Sequence, residues 1–348
     1  MKNFNIDGSL VGDNSRCYII AEAGVNHNGD VNIAKELISE ASRIGADAIK
    51  FQTFYADDLL IENTGKANYQ KTNENDKETQ YEMIKKLELN QDDFIELYEY
   101  SLRKNITFLS SPFDLKSVDF LDSTGISAFK IASGEITNIP LIEHISSKKK
   151  PILLSTGMSN LDEIRSAIKA IKKSIDNIIL LHCISSYPTK YEDANLRVIK
   201  TLKSEFNLPV GFSDHTIGIT VPIAAVALGA CIIEKHFTIS KKYEGPDHKI
   251  SLDPEEFRNM IDSIRIVEKA LGNGVKVPTN EEEEMKKIVR KSIVSKYDLA
   301  KGTIITKDLI DIKRPGIGIE SKYIQDILGR KTVKEIKKNQ LLSWDLIS

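Results

Sequence analysis

Eight short apolar runs, separated by segments with helical periodicity, occupy the first three quarters of the chain. Most begin with a continuous apolar stretch, as parallel strands covered on both faces require. The intervening segments, such as 32–46 and 161–174, repeat apolar residues at the spacing of an amphipathic helix. Eight β-α alternations predict an α/β fold, a (β/α)8 TIM barrel. The predicted strands cover residues 17–24, 48–54, 107–113, 128–135, 151–157, 178–186, 210–215 and 231–238.

An open, doubly wound sheet is the alternative fold, because it also alternates strands and helices. That fold uses a Gly-rich phosphate loop after its first strand. The segment that follows the first predicted strand, within AEAGVNHNG (21–29), lacks this pattern. The barrel is therefore the more economical interpretation.

Two segments outside the strands have their own patterns. Residues 4–11 resemble a small β-hairpin with Asp7-Gly8 at its turn, which we expect to close the bottom of the barrel. Residues 57–90 form a long, polar second β-to-α connection. Long connections are uncommon unless they are functional, so this one predicts a loop or lid over the barrel mouth.

The pattern changes after the last barrel helix. We predict a TIM-barrel domain over 1–271, a linker over 272–290 and a small β-rich domain over 291–348. The run Glu281 to Glu284 within the linker is typical of a solvated surface. A domain of about 60 residues is barely stable alone, so docking on another surface is expected.

The composition excludes several classes of function. Lys+Arg number 48 and Asp+Glu 50, for a formal net charge of −2, so neither a nucleic-acid partner nor a basic membrane-binding face is indicated. The three cysteines lie in apolar runs, as expected for buried thiols in a reducing compartment. The chain start lacks a signal-peptide h-region, and no apolar stretch approaches about 18 residues. We expect a cytoplasmic protein.

Polar residues collect at the ends of the predicted strands. In a TIM barrel these ends face the loop-lined mouth where the chemistry takes place. Eight strands that all begin apolar and finish polar predict an active site there. The residues are Glu22, Lys50, Gln52, Ser110, Ser111, Lys130, Ser133, Glu135, Ser155, Ser185, Ser186, Ser213, His215, Glu234 and His236.

Two histidines at matched depth suggest a metal site. His215 ends the seventh strand and His236 lies near the end of the eighth, so adjacent strands bring both imidazoles together. Two neutral imidazoles with open positions suit a divalent ion such as Mn2+ or Mg2+ that keeps water or substrate oxygens as further ligands. Hydrogen-bonded core histidines are the alternative, and they are the interpretation we favour for His182.

Two lysines on barrel strands suggest an anion site. Lys50 and Lys130 would be costly to bury without partners. A phosphorylated substrate, with hydroxyl donors from Ser133, Ser155 and Ser213, would provide them. Internal ion pairs with Glu22, Glu135 or Glu234 are the alternative. A Schiff-base aldolase is a further possibility, because such enzymes use a desolvated lysine.

Two more groups complete the predicted site. The loop after the eighth strand places Asp247 and His248 beside the histidine strand. Glu22, at the end of the first strand, is a candidate acid/base or a clamp on a sugar hydroxyl.

These residues resemble the sialic acid synthases, which condense phosphoenolpyruvate with an N-acetylated amino-sugar aldehyde. The resemblance covers essentially the whole chain, and the residues from about 291 are similar to the family's antifreeze-like (SAF) domain. The matching segments, in order, are AEAGVNHNG (21–29), KFQTF (50–54), SSPFD (110–114), KIASGEITN (130–138), LSTGM (154–158), LHCISSYPT (181–189), GFSDHTIG (211–218), EKHFT (234–238), GPDHKISL (245–252) and KRPGIGI (313–319).

The resemblance implies a role for each site residue. A metal on His215 and His236 would polarise the aldehyde oxygen, C3 of phosphoenolpyruvate would attack the aldehyde, and water addition at C2 would lead to loss of phosphate. Arg314 would reach the N-acetyl group in a partner subunit, which implies a domain-swapped homodimer. Phosphoenolpyruvate would bind Lys50, Lys130, Ser133, Ser155, Ser185 and Ser213, and the sugar would contact Glu22, Gln52, Tyr187, Asp247 and Arg314.

The resemblance leaves the sugar open. The segment GPDHK (245–249) is more similar to the sialic and legionaminic acid branches than to the pseudaminic branch. We therefore expect N-acetylmannosamine as the substrate, with a 2,4-diacetamido-2,4,6-trideoxymannose as the alternative. Several relatives carry Asn or Thr in place of Ser185. A non-catalytic, ice-binding protein is disfavoured by the charged residues throughout 296–313.

Overall fold

The computed structural model describes residues 3–13, 15–66 and 78–348. The chain divides into two compact units, Met1–Gly272 and Asn273–Ser348. Among the helices of the described residues, none combines the length and the apolar character needed to span a bilayer.

The first unit starts with a β-hairpin. Strands β1 (Asn3–Ile6) and β2 (Ser9–Gly12) pair antiparallel, with Ile6 opposite Ser9. The two residues between them, Asp7 and Gly8, both have positive φ, as a tight hairpin turn requires. The hairpin predicted from the sequence is therefore confirmed.

Eight parallel strands follow. Their hydrogen-bonded order is β5-β4-β3-β10-β9-β8-β7-β6, and β5 and β6 lie side by side, which makes a nearly closed barrel. This confirms the predicted TIM barrel and excludes the open sheet. The strands are β3 (Tyr18–Gly24), β4 (Ala48–Thr53), β5 (Thr107–Pro112), β6 (Phe129–Ile131), β7 (Ile152–Ser155), β8 (Ile178–Cys183), β9 (Val210–Asp214) and β10 (Ile232–His236).

Helices connect the strands and bury one apolar face each. The first of them begins at Asp30, whose side chain accepts from the backbone N–H of Asn32, and ends at Gly45, with φ 86°. Its buried face includes Leu37 and Ile38. The helices of this unit are α1 (Val31–Ile44), α2 (Ala56–Leu59), α3 (Gln80–Lys86), α4 (Gln91–Arg103), α5 (Leu115–Thr124), α6 (Ile139–Ser147), α7 (Leu161–Ile171), α8 (Val198–Phe206), α9 (Thr220–Ala227) and α10 (Pro254–Leu271).

Alternate residues of each strand face opposite sides of the barrel wall. On β3, Ile19 and Ala21 belong to the core beneath the helices, whereas Tyr18 and Ile20 belong to a separate cluster inside the barrel. The hairpin is part of this inner cluster and closes the end of the barrel where the strands begin. The cluster contains Phe4, Ile6, Val11, Tyr18, Ile20, Ala48, Leu109, Ala128, Leu153, Ile179, Leu181, Cys231 and Ile232.

The long connection predicted as a loop or lid is partly helical. It contains α2 and α3, and its middle, 67–77, lies outside the described residues. Helix α3 begins with a capping box in which Thr79 and Glu82 satisfy each other's backbone N–H groups.

The second unit has its own apolar core of isoleucine and leucine side chains. Two short strands, β11 (Ser292–Ser295) and β12 (Ile310–Lys313), pair antiparallel, and helices α11 (Asn280–Val289) and α12 (Ile324–Ile327) complete its regular structure. Helix α11 lies within the segment predicted as a linker, and the acidic run Glu281 to Glu284 is exposed in it.

Candidate active site

A polar layer lies directly above the apolar filling of the barrel. Because the side-chain period of a strand is two, Glu22 faces the same side as Ile20, and Glu234 the same side as Ile232. Above this layer the strand-to-helix loops enclose a cavity of about 810 Å3. Its lining residues include Glu22, Val25, Lys50, Gln52, Gln80, Met83, Ile84, Ser111, Phe113, Lys130, Ser133, Ser155, Cys183, Ser185, Tyr187, Ser213, His215, Glu234, His236, Pro246 and Asp247.

Four buried charges form the floor of this cavity. Lys50 Nζ lies 2.5 Å from Glu22 Oε2 and 3.8 Å from Glu234 Oε2, and Lys130 Nζ donates to Glu234 Oε1 at 2.9 Å. The pairing alternative is thus observed, but through Glu22 and Glu234 alone. Glu135 instead accepts from Asn138 Nδ2 at 2.8 Å.

The two carboxyl groups of the floor differ in their affinity for protons. Burial raises the pKa of Glu22 to about 7, and Lys50 offsets only part of this effect. Burial also raises the pKa of Glu234, but Lys130 and Lys50 together outweigh it, and the pKa falls below its usual value. Glu234 therefore keeps its charge, and Glu22 is the floor carboxyl that can exchange a proton near neutral pH.

Lys50 is a cation and not a free amine. Burial lowers the pKa of Lys50, but Glu22 and Glu234 reverse this effect and raise it above its usual value. A Schiff-base lysine needs the opposite shift, because only the neutral amine attacks a carbonyl. The arrangement disfavours the aldolase alternative and favours the holding of an anion.

Three serine hydroxyls lie along one side of the floor. Ser133 Oγ accepts from the backbone N–H of Gly157 at 3.0 Å. A Cβ on Gly157 would overlap Ser185 Oγ and lie 2.8 Å from Ser133 Oγ, so only glycine lets these groups converge. Ser155 Oγ is buried and has no hydrogen-bond partner among the described residues. Hydroxyls with unused capacity beside two ammonium groups are suited to phosphate oxygens.

The two histidines meet one residue layer above the floor. Their ring centroids are 5.5 Å apart, and the ring of Tyr187 lies 4.1 Å from that of His215. His215 Nδ1 donates to the Ile184 carbonyl oxygen at 2.7 Å, so its Nε2 keeps a lone pair. His236 Nδ1 is buried and has no hydrogen-bond partner in the described part of the chain. Both rings can therefore act as ligands.

Burial and neighbouring groups shift the pKa values of these two rings in opposite directions. Burial lowers the pKa of His236 well below its usual value, which keeps the imidazole neutral. Burial also lowers the pKa of His215, but Cys183 and the Ile184 carbonyl outweigh it and raise the pKa. Greater basicity strengthens a ring nitrogen as a metal ligand. Among the described residues, no group of three or more His, Cys, Asp or Glu side chains is arranged to hold a metal ion.

The loop after β10 brings one carboxyl group to the histidines. Asp247 Oδ2 lies 3.8 Å from His236 Nδ1, and burial raises the pKa of Asp247 to about 6. The neighbouring His248 faces away from the cavity, since its Nδ1 shares a 2.7 Å hydrogen bond with Thr238 Oγ1. His182 is also a structural residue, as predicted, with Nε2 2.8 Å from the Ala194 carbonyl oxygen.

Of the thirteen residues to which the resemblance gives a role, the structure brings all but one to this cavity, whereas the strand-end residues Ser110 and Glu135 and the loop residue His248 do not line it. Arg314 is the exception: it lies in the second unit, exposed, with its Nε donating to the Val289 carbonyl oxygen at 3.0 Å. The residues that share the cavity are Glu22, Lys50, Gln52, Lys130, Ser133, Ser155, Ser185, Tyr187, Ser213, His215, His236 and Asp247.

Sequence reasoning gave no specific role to two residues of the cavity wall that contact site residues. Cys183 was interpreted as a small buried hydrophobe, yet its Sγ lies 3.8 Å from His215 Nδ1. Ser111 was noted only as a strand-end residue, and its Oγ accepts from Lys50 Nζ at 3.3 Å. The alternation of β8 contains the missing signal, because Cys183 lies midway between the inward-facing Leu181 and Ser185.

Known proteins match the chain over nearly its full length. It is 48% identical to the N,N'-diacetyllegionaminic acid synthase of Legionella pneumophila, over 97% of this chain and 96% of that one. It is 34% identical to the human N-acetylneuraminate-9-phosphate synthase, over 98% of this chain and 95% of the relative. The crystal structure of a sialic acid synthetase from Leptospira borgpetersenii superposes with a TM-score of 0.74 at 38% identity, covering 82% of this chain and 95% of that one.

Two family models divide the chain between them. The model of the NeuB family matches residues 37–276, and that of the SAF domain matches residues 290–348. The first match covers most of the barrel, and the second covers most of the C-terminal unit. The chain is therefore an enzyme of the NeuB family, a TIM barrel with a SAF domain at its C-terminus.

Proposed function

We propose that this enzyme condenses phosphoenolpyruvate with the open-chain aldehyde of an N-acetylated amino sugar and releases phosphate and a nonulosonic acid. The observation that carries the proposal is the juxtaposition of a two-lysine, serine-lined floor with a histidine pair in one cavity. The names of its relatives, which are synthases of sialic, legionaminic and pseudaminic acids, support the same reaction.

Phosphoenolpyruvate is assigned to the floor. Lys50 and Lys130 supply the positive charge, and Ser133, Ser155 and Ser185 supply hydroxyl donors. Ser213 Oγ donates to Glu234 Oε1 at 2.9 Å, so this hydroxyl has to turn from Glu234 to reach the phosphate. An anion beside Lys50 competes with Glu22 for that ammonium group, which raises the tendency of Glu22 to take a proton. Binding thus turns the paired floor into an anion site with a protonated carboxyl group at its edge.

A divalent ion, Mn2+ or Mg2+, is assigned to His215 and His236. The fit rests on the unpartnered Nδ1 of His236 and on the Nε2 lone pair of His215, with the remaining ligands left to water and substrate. When bound, the ion would polarise the aldehyde oxygen of the sugar. Tyr187, which packs on His215, and the Ile184 carbonyl oxygen hold that ring in its binding orientation.

The bond changes follow from this placement. The C3 carbon of phosphoenolpyruvate attacks the aldehyde carbon, and the aldehyde oxygen becomes a hydroxyl by taking a proton. Glu22, whose pKa burial raises to about 7, can exchange a proton near neutral pH and is positioned to supply it, with Gln52 Nε2 3.5 Å from its Oε1. Water then adds at C2, and the tetrahedral intermediate expels phosphate as the C2 carbonyl forms.

The central experiment measures phosphate release and the mass of the product. The enzyme is incubated with phosphoenolpyruvate and a panel of 2-acetamido sugars, with added Mn2+ or with EDTA. We expect phosphate and a product of combined mass only when a sugar and the metal are both present. Release without a sugar, or no release with any sugar, would contradict the proposal. A borohydride-trapped adduct on Lys50 or Lys130 would instead support the aldolase.

From the resemblance to the sialic acid synthases we further propose a domain-swapped homodimer, in which Arg314 of the partner subunit completes the sugar site. Co-expression of the inactive variants Lys130→Met and Arg314→Ala tests it. In a swapped dimer, each mixed pair contains one site without either change, so about a quarter of the sites regain activity under random mixing. If Arg314 serves its own chain, mixing restores nothing.

A further inference from the structure

The hydrogen-bonded ladder between β9 and β10 ends just below the histidine pair. Its last pair is Asp214 with Lys235, one residue before each histidine. His215 lies beyond the end of β9, and its carbonyl oxygen accepts from the backbone N–H of Thr189, which follows β8, at 2.9 Å. His236 is paired on its other side with a residue of β3. Each histidine backbone is thus held by its outer neighbour, so the spacing between the two rings depends on what joins β9 to β10.

A buried ion pair joins these two strands on the outer side of the barrel wall. Side chains alternate along a strand, so Asp214 and Lys235 face the same side as Phe212 and Ile233, which belong to the core beneath the helices. Lys235 Nζ lies 2.6 Å from Asp214 Oδ2. Both residues are only 1% exposed, so water does not compete for either charge.

The ammonium group of Lys235 contacts the residues on both sides of His215. It donates to the carboxylate of Asp214, which precedes His215, and to the carbonyl oxygen of Thr216, which follows it. The Asp214 carboxylate in turn accepts from the backbone N–H of Thr216 at 2.9 Å and from its hydroxyl at 3.1 Å. Because Lys235 directly precedes His236, one side chain ties the backbone around the first histidine to the strand of the second.

Stability alone is a weak reason for this ion pair. The free energy lost by removing two charges from water offsets most of their attraction, and replacement of a buried ion pair by uncharged residues is often neutral for stability. The network fixes geometry instead, because its bonds are short and directional. A metal ion accepts its ligands only within a narrow range of distances, so the spacing of two ligand rings affects how tightly the ion binds.

We propose that Lys235, Asp214 and Thr216 form a clamp that sets the spacing of His215 and His236 and thereby the affinity of the enzyme for its divalent ion. The inference rests on the proposed function, in which the ion binds both rings. Lys235 and Asp214 act as positioning residues from behind the barrel wall, outside the lining of the described cavity.

The test measures the binding of Mn2+ to the full chain without substrates, by isothermal titration calorimetry. The variant Lys235→Met/Asp214→Asn removes both charges together, and the asparagine keeps an acceptor for Thr216. We expect the Kd for Mn2+ to rise by about 10- to 100-fold, as for other residues that orient metal ligands. The denaturant midpoint should change little, because no unpaired charge is left buried. In kinetic assays, the Mn2+ concentration for half-maximal activity should rise, whereas kcat at saturating Mn2+ should be retained.

The matched control is Lys203→Met/Asp13→Asn. Lys203 Nζ lies 2.5 Å from Asp13 Oδ1, and both residues lie outside the lining of the cavity. The same two substitutions therefore remove a Lys–Asp pair that has no contact with the histidine segments. The Kd for Mn2+ should stay at the wild-type value, and a rise equal to that of the clamp variant would overturn the proposal.

Asp214→Asn alone is the milder second variant, for use if the double variant does not fold, and it should raise the Kd for Mn2+ in the same direction. An unchanged Kd in the folded clamp variant would overturn the clamp and leave the metal site intact. A wild-type titration that His215→Ala/His236→Ala does not alter would overturn the metal assignment itself, and the clamp with it.

Discussion

The two ends of the barrel interior are built from the same strands but from opposite chemistry. At the end where the strands begin, side chains such as Ile20, Leu181 and Ile232 pack with the N-terminal hairpin into an apolar cluster. Two residues further along, Glu22 and Glu234 belong to a floor of four buried charges.

This difference separates stability from function within one barrel. The apolar end contributes stability by removing surface from water. At the charged end, the free energy lost by removing each ion from water has to be offset by a partner of opposite charge. Such networks contribute little to stability. Substitutions at one end should therefore change the free energy of unfolding, and those at the other end should change turnover.

The largest effect is expected from Lys130→Met at the charged end. Loss of this cation should lower kcat/KM for phosphoenolpyruvate by about 10²- to 10³-fold. It also leaves Glu234 with the Ser213 hydroxyl and with Lys50 at 3.8 Å as its remaining cation, which should destabilise the fold. The double variant Lys130→Met/Glu234→Leu should recover stability but not turnover, as measured by denaturant unfolding and steady-state kinetics. Recovery of turnover in the double variant would break the comparison.

Leu181→Ala should show the reverse behaviour at the apolar end. Leu181 is fully buried, and its truncation should lower the free energy of unfolding by about 3 kcal/mol. We expect kcat/KM to change little, because no proposed ligand contacts this side chain. Leu10→Ala is the matched control, since Leu10 is 57% exposed and its loss should cost less than about 0.5 kcal/mol. A large loss of activity in Leu181→Ala would contradict the separation.

Low pH should reduce the free energy of unfolding through His27, which lies in the loop after β3 at the mouth of the barrel. Burial lowers the pKa of His27 to about 4, so the unfolded chain binds a proton below about pH 6.5 that the folded chain excludes. Stability is therefore lost as the pH falls, by about 2 kcal/mol between pH 6.5 and pH 5. The free energy of unfolding of His27→Asn, measured with denaturant at pH 5 and pH 6.5, should depend less on pH than that of the wild type. An equal dependence in the two proteins would contradict this role of His27.

The smallest effect is expected for Ser155→Ala. Since Ser155 Oγ has no hydrogen-bond partner among the described residues, its removal should leave stability unchanged. The KM for phosphoenolpyruvate should rise about tenfold through the loss of one donor. Ser110→Ala is the matched contrast, because Ser110 Oγ shares a 2.7 Å hydrogen bond with Thr53 Oγ1. It should lower stability and leave KM unchanged; the opposite pattern would refute the assignment.

The barrel could be predicted because its signal is local. Most strands begin with a continuous apolar run, and all eight appear in the structure within a few residues of their predicted bounds. Helix α3 could not be predicted in the same way. It is only seven residues long, and its position depends on contacts with Gly29, Val25 and Phe54, which are distant in sequence.

The site was predictable in its membership but not in its internal pairing. Strand ends that point into one mouth brought Glu22, Lys130 and His236 together by topology alone. Whether Lys50 and Lys130 would form ion pairs with glutamates or lack such partners depended on side-chain distances, which cannot be read from the spacing of residues along the chain. The contact of Cys183 with His215 was missed for the same reason. Cys183 lies in an apolar stretch of sequence, which gave no indication that its side chain faces the cavity.

The closed lower end of the barrel has a consequence for the order in which reactants bind and products leave. Phe4, Ile6 and Val11 fill that end of the barrel, so reactants reach the floor from the mouth side of the described cavity. In the proposed assignment, phosphoenolpyruvate lies beneath the sugar, so it has to load first, and the sugar closes the way out behind it. On this assignment, the sugar binds last but leaves first, as part of the new nine-carbon acid. Inorganic phosphate, which lies deeper in the cavity, would leave only after that acid.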